Sequence, residues 1–439
     1  MHPLCSRPWM VAAPSFCRRC AGPLAQRLDR PRLHQAAARA PSGEGAAPAS
    51  ASSIAPAAFA RKRHRGSGGD AESLIRDVVH RPGNHEALYL ALRRHAEALS
   101  PANAVTALSS LAHLDARRGP VVPQTSSPSV EDRPLSARSA ENVLAAHLAT
   151  LLRDRDAIWS PRVAANLMWA IAKLQQRAPF DSLVPQACEL LLAQSQALNG
   201  RDSAIVLWSL AVLDLGSRRD EVVSVVAAAL RAKADARELS VHDIAQSLWA
   251  AATLDEAKAP GLHPLVLSLV RAAHGRAHEF KTHSLSVSLW ALGLLDALHA
   301  VSEVQSVVGE LARAAAAIAT DMNPQMLSNC AWGVARAGVP PGPFYNAIAP
   351  VATCHLRLGP PALTDQHVCN VAWAYAHAEV RSPEVLSHMR AVSEKICQQG
   401  ALAAMQSHHA SGTTWALLKL FTPDQQSLQR QAGVPQSVR

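Results

Sequence analysis

The chain repeats one short pattern around a tryptophan, and that repeat limits its fold more than any other feature. The pattern reads AANLMWAIAKL ending at Leu174, AIVLWSLAVL ending at Leu213 and AQSLWAAATL ending at Leu254. It returns as SVSLWALGLL, SNCAWGVARA, CNVAWAYAHA and SGTTWALLKL. The tryptophans are Trp169, Trp208, Trp249, Trp290, Trp332, Trp373 and Trp415, separated by 39, 41, 41, 42, 41 and 42 residues. A bulky residue held at one phase of such a period marks a stacked array of like units. A propeller of Trp-bearing strands is excluded, because each Trp is followed by Ala, Ser or Gly and never by Asp. The flanks are rich in Ala and Leu and follow the helical period, and aromatic residues are only 4% of the chain; both favour helix over strand. The expected fold is therefore all-α: an α-solenoid of about seven to eight helix–turn–helix repeats of roughly 41 residues.

Each unit carries two helices. The Trp helix has a start signal nine residues before Trp, at Ser160-Pro161, Asn199, Ser240, Asn323-Pro324 and Thr364. These are good N-caps, two of them followed by Pro at the first helical position. Ser240 with Asp243, and Asn199 with Asp202, resemble capping boxes with a shortened acid. Second helices are predicted around Val184–Ser195, Val222–Lys233, Leu265–His278, Val304–Ala319, Phe344–Leu356 and Glu384–Cys397.

The rest of the chain divides by composition. Residues 1–69 form a leader with eleven Lys/Arg and two acids, while the remaining chain carries 32 basic and 32 acidic residues. The formal net charge of +9 thus belongs to the leader. A segment rich in Arg, Ala, Ser and Pro and poor in acids has the composition of an organelle transit peptide. The short apolar run Trp9–Ala13 is broken by Pro14, unlike a secretory core. A mitochondrial (matrix) address is favoured, with a plastid as the alternative; Arg61–Arg65 also has the composition of a nuclear signal. Residues 70–115 read as helical. Asn103-Ala-Val-Thr-Ala-Leu aligns with Asn166-Leu-Met-Trp-Ala-Ile and puts Thr106 in the Trp slot of a degenerate first repeat. Residues 116–140 are a Pro/Ser-rich linker, 141–421 the array, and 422–439 a polar tail. No run approaches the length of a membrane span.

On a wheel with Trp at zero, positions −5, −1, +2 and +5 gather within about 140–260° and form the apolar, buried face. Positions −4, +1 and +3 are almost all Ala, Ser or Gly, so neighbouring helices can approach closely. Trp reads as a wedge between repeats, its indole N–H meeting a carbonyl or solvent; stacking on a nucleobase is the competing reading. A polar stripe, at positions −7, −6, −3 and +4, lies within about 20–120°. Position −7 runs Arg162, Arg201, His242, His283, Gln325, Gln366, His408. Position −3 runs Asn166, Ile205, Gln246, Val287, Asn329, Asn370, Gly412. Position +4 runs Lys173, Val212, Thr253, Leu294, Arg336, His377, Lys419. Such columns line up along a solenoid, and Arg, Asn, Gln and His at fixed positions can read base edges or hold phosphates. The competing reading is an ordinary solvated face. The charge-neutral body argues against strong non-specific phosphate binding.

Catalysis and metal chemistry find little support. No GxSxG, phosphate loop or HExxH is present, and the CxxC of Cys17 and Cys20 has no second ligand pair at metal spacing. The remaining cysteines fall mostly in helical patterns, as small buried hydrophobes do, which suits a reducing compartment. His408-His409 follows the helical phase of its repeat. No cofactor and no enzymatic activity are expected.

The core best seen as Asn166-Leu-Met-Trp169-Ala-Ile-Ala-Lys-Leu174 resembles octotricopeptide repeats and the repeat regions of FASTK/RAP-type organellar RNA proteins. The resemblance covers roughly residues 72–421. It implies an α-solenoid that binds single-stranded RNA in mitochondria or plastids and acts in RNA stability, processing or translation, with RNA-processing or ribosomal proteins as further partners. The units here are longer than is usual in that family. A C-terminal RAP module, nuclease-like in many relatives, is not expected after the last repeat, and neither is RNA cleavage. An α-solenoid scaffold for protein partners, of armadillo or HEAT type, is the alternative.

Overall fold

A computed structural model describes residues 85–117, 135–174, 178–213, 219–256, 262–340, 342–358, 363–399 and 405–422. The leader, most of the Pro/Ser-rich stretch and nearly all of the polar tail lie outside them. No strand occurs among the described residues. Eight helices carry the Trp slot or its Thr106 equivalent: α2 (Pro101–Arg117), α4 (Pro161–Leu174), α6 (Gly200–Val212), α8 (Val241–Glu256), α10 (Thr282–Leu294), α12 (Pro324–Arg336), α14 (Asp365–His377) and α16 (Ser407–Phe421). Between them lie α1 (His85–His95), α3 (Leu135–Arg153), α5 (Val184–Gln194), α7 (Arg219–Asp235), α9 (Leu262–Ala273), α11 (Ser302–Ala317), α13 (Pro343–Leu358) and α15 (Pro383–Gln399). Each Trp helix packs most extensively on the Trp helices before and after it, and the odd-numbered helices form a second row behind them. This is the two-layered α-solenoid expected from the period.

Local chemistry fixes the starts of the Trp helices. Asn199 Oδ1 accepts the Asp202 N–H at 2.8 Å and Asn323 Oδ1 that of Met326 at 2.9 Å. Ser160 Oγ accepts the Val163 N–H at 3.3 Å. Ser240 and Asp243 form a full capping box: Ser240 Oγ accepts the Asp243 N–H, and the Asp243 carboxylate accepts the Ser240 N–H and O–H. Asn199 and Asp202 do not. The Asp202 carboxylate turns to Arg162 in the preceding repeat instead. At Thr364 the backbone N–H donates to His367 Nδ1 at 3.1 Å. The remaining two Trp helices, capped by Lys281 and Gln406, have no side-chain cap.

Two boundaries differ from the sequence reading. α3 begins at Leu135, inside the stretch assigned to the linker, because Leu135–Ala140 continues into a helical pattern and buries Ala140. α9 stops at Ala273, short of His278, ahead of Gly275 at φ +77°.

The interior is built from positions −1 and +2, where Leu207, Leu210, Leu248, Leu289 and Leu292 are fully buried; each contributes roughly 1.5–3 kcal/mol relative to an exposed side chain. The small-residue positions decide how close the helices come. A Cβ on Gly333 would lie 2.2 Å from Leu289 O and 2.9 Å from Trp290 N, so α10 and α12 meet backbone to backbone. Gly293, at +3, faces Gly333, at +1 of the next repeat, with 2.8 Å left for a Cβ. Position +3 therefore looks forward along the array and +1 looks back. In α16 the forward position holds Leu418, 63% exposed, beside Trp415 at 39%. Of the cysteines, Cys188, Cys330 and Cys369 are buried, but Cys354 and Cys397 are exposed on the second row rather than in the core.

Candidate functional site

The tryptophans do not sit apart from the polar columns. Successive rings meet across repeat junctions: Trp208 and Trp249 lie 6.3 Å apart, Trp332 and Trp373 6.4 Å, both tilted. Three of the +4 side chains lie over Trp rings. Lys173 Nζ is 4.7 Å from the Trp208 ring centre and 6.0 Å from Trp169. Lys419 Nζ is 5.4 Å over Trp415. His377 stacks on Trp373 at 4.4 Å and 14°. His113, seven residues beyond Thr106, lies 4.9 Å from Trp169 and begins the series. On the wheel Trp and +4 are only about 40° apart, so one surface carries both indoles and cations. Trp169, Trp208, Trp290 and Trp332 are half-buried, and Trp249 and Trp373 are buried. The Trp249 indole N–H is enclosed without a hydrogen-bond partner, contrary to the expected carbonyl or solvent contact.

Two of the +4 cations, Arg336 and Lys419, are tethered from the preceding repeat. Arg336 meets Asp296 at 2.5 Å, and Lys419 meets Glu379 at 3.0 Å. Both acids lie six residues after their own Trp. Glu379 adopts φ +56° at the position where the preceding repeat has Gly338 at φ +70°. The His377 imidazole is held below its usual range by desolvation, then by the charges of Lys419 and Arg336, with Glu379 opposing.

Columns −7 and −3 divide into exposed and engaged members. Arg201 and His242 are exposed, and Arg162 is exposed but ion-paired to the buried Asp202. His283 is depressed by burial and by His242 nearby. Gln325 donates to Asn329 Oδ1 at 2.9 Å and contacts His367 Nε2, of the next repeat, at 2.9 Å. Asn329, buried, donates in turn to Ser286 Oγ of the preceding repeat at 3.3 Å. Gln325 and Asn329 thus bind repeats together through their own polar groups. Val287 and Asn370 are buried, and the Asn370 carbonyl oxygen has no partner. Asn166, Gln246, Gln366 and His408 are half-buried, and the His408 and His409 rings lie 4.0 Å apart. The cations of the two columns are therefore unevenly placed. Arg162 and Arg201 at −7 join Lys173 at +4 in the first repeats, and in the last repeats the cations are Arg336 and Lys419 at +4, with the depressed His377 between them.

Sequence reasoning did not single out His113, His377, Asp296 or Glu379 as site residues. His377 was visible as a member of the +4 column. The two acids could be found only by asking what stands six residues after each Trp.

Elsewhere a small cavity of about 20 Å³, near the size of one water, is lined by His355, His367 and His388 among apolar side chains. Buried beside it, His388 contacts Thr353 Oγ1 at 3.0 Å and the Tyr375 ring at 5.8 Å. Among the described residues no group of three or more His, Cys, Asp or Glu could hold a metal ion. No described helix is long and apolar enough to cross a membrane.

No known family model matches the sequence, and no curated protein matches it.

Proposed function

We propose that the protein is a non-enzymatic binder of single-stranded RNA, similar to octotricopeptide-repeat and FASTK/RAP-type proteins. In this reading it acts in an organelle on RNA stability, processing or translation. The observation that carries the reading is the column of indoles overlain by Lys173, His377 and Lys419 along the Trp-helix row. Single-stranded nucleic acids are held by aromatic platforms flanked by cations, each stacked base contributing on the order of 1–3 kcal/mol. Nearby Arg201, His242 and Gln246 supply groups suited to base edges or phosphates. The neutral balance of the chain beyond the leader favours local contacts over a general basic field. The leader's composition supports a mitochondrial address, with a plastid as the alternative. Crosslinking in isolated organelles, followed by sequencing of bound RNA, tests the reading; recovery of no RNA above background would sink it.

A second reading, a scaffold for protein partners, draws on α16. Its forward face exposes Trp415 and Leu418, whereas the equivalent positions of the earlier Trp-bearing helices are buried or half-buried. Under this reading, substitution of Leu418 by Glu abolishes a protein complex and leaves RNA recovery unchanged.

A further inference from the structure

Arg336, His377 and Lys419 stand at one position of three successive Trp helices, and the charges of Arg336 and Lys419 both reach the His377 ring. Arg336 and Lys419 are cations one repeat to either side of His377, whose imidazole is held below its usual range and serves as a polar partner between them, and this row matches a ligand that carries its negative charges in series. The row is not left open. Asp296 closes Arg336 and Glu379 closes Lys419, each acid from the repeat before. The acids are the more exposed partners: Asp296 is 58% exposed against 39% for Arg336, and Glu379 is 73% against 33% for Lys419. Exposed ion pairs add little to stability, so stability is a weak reason for the same arrangement to occur twice. At Glu379 the backbone also carries a cost. Its φ of +56° favours glycine, and the preceding repeat has Gly338 there. What Glu brings to that turn is its carboxylate.

We propose that Arg336, His377 and Lys419 form a seat for consecutive phosphates of an RNA strand, and that Asp296 and Glu379 are built-in competitors which hold the two cations until phosphates displace them. The inference rests on the RNA-binding reading above. Both carboxylates are exposed, Asp296 at the start of a short 3-10 turn, where it also faces His299 at 3.7 Å, and Glu379 in the turn after α14, so both can turn to solvent without disturbing the core. Their competition weakens binding by short or singly charged anions and favours a strand that spans all three repeats.

The test is binding of the purified 439-residue chain to a fluorescent single-stranded oligouridine over a series of salt concentrations. Glu379→Gln and Asp296→Asn should each raise affinity roughly two- to fivefold, the factor to which an exposed ion pair corresponds. Lys419→Ala should weaken binding and reduce the steepness of the salt dependence by about 0.7 per lost phosphate contact. In the Lys419→Ala background, Glu379→Gln should give no gain, which ties the effect to this pair rather than to net charge. If the wild-type chain binds no RNA, the functional reading and the seat fail together. If it binds RNA but Glu379→Gln and Asp296→Asn leave affinity unchanged or lower, the seat alone is overturned.

Discussion

Arg162 reaches across the first junction of Trp-bearing repeats to Asp202, its Nε 3.6 Å from a carboxylate that is 3% exposed. This contact changes what a substitution at Arg162 measures. Arg162→Ala leaves a buried carboxylate without its cation, at a cost of about 1–3 kcal/mol. A fall in urea midpoint is expected for Arg162→Ala, whereas Arg201→Ala, at the equivalent exposed position of the next repeat, should melt like the wild type. Only Arg201→Ala then reports cleanly on RNA affinity, which should fall.

Gly333 is the site most sensitive to an added methyl. A Cβ there meets the Leu289 carbonyl at 2.2 Å, and backbone cannot move aside as a side chain can. Gly333→Ala should destabilise the array by about 1–3 kcal/mol or more and speed proteolysis near that junction. Gly309→Ala is the control: its Cβ would meet only Arg313 Nη1, at 3.6 Å, inside α11. It should raise stability by up to about 1 kcal/mol through helix propensity. Chemical denaturation of both variants distinguishes these outcomes.

Burial pushes His388 down to about 4 from an ordinary 6.5. A folded-state value below the unfolded one means that the unfolded chain binds the proton first on acidification. Stability is therefore full above pH 6.5, falls as the pH drops toward 4, and has lost about 3 kcal/mol from this group below that. His283, His355, His377 and His409 are also depressed and act in the same direction. Urea midpoints between pH 8 and pH 4 should fall less steeply for His388→Gln than for wild type; identical slopes would rule out His388 as a major contributor.

Trp415 combines an exposed ring with Lys419 above it. Trp415→Ala should weaken oligouridine binding by roughly five- to a hundredfold, the range that a lost base stack spans, while circular dichroism stays helical. An unchanged affinity with loss of a protein partner would instead favour the scaffold reading.

The architecture was legible because it is written in local spacing. The Trp period, the caps at Asn199, Ser240 and Asn323, and the small residues at +1 and +3 each act within one helix or between neighbours of the same kind. The state of the polar columns was not. Gln325, Asn329 and Arg162 find partners 40 to 43 residues away, chosen by the rotation between helices, which no single-repeat wheel contains. Asn370 and Val287 occupy the same column as the half-buried Asn166 and Gln246, yet they are buried by their neighbours. The kinship of Trp and +4 was present on the wheel, but the size of the indole hid it. The ring reads as a packing wedge until Lys173 and His377 are seen lying on it.

The meeting of α10 and α12 through Gly293 and Gly333 has a mechanical consequence. A stacked array behaves as a spring whose compliance lies in the side chains between its coils, since rotamers and methyl contacts yield before backbone does. At the Gly293–Gly333 crossing no such cushion exists. Bending or stretching of the array will concentrate at the other junctions, and the pitch between the fourth and fifth tryptophans will hold as a fixed gauge length.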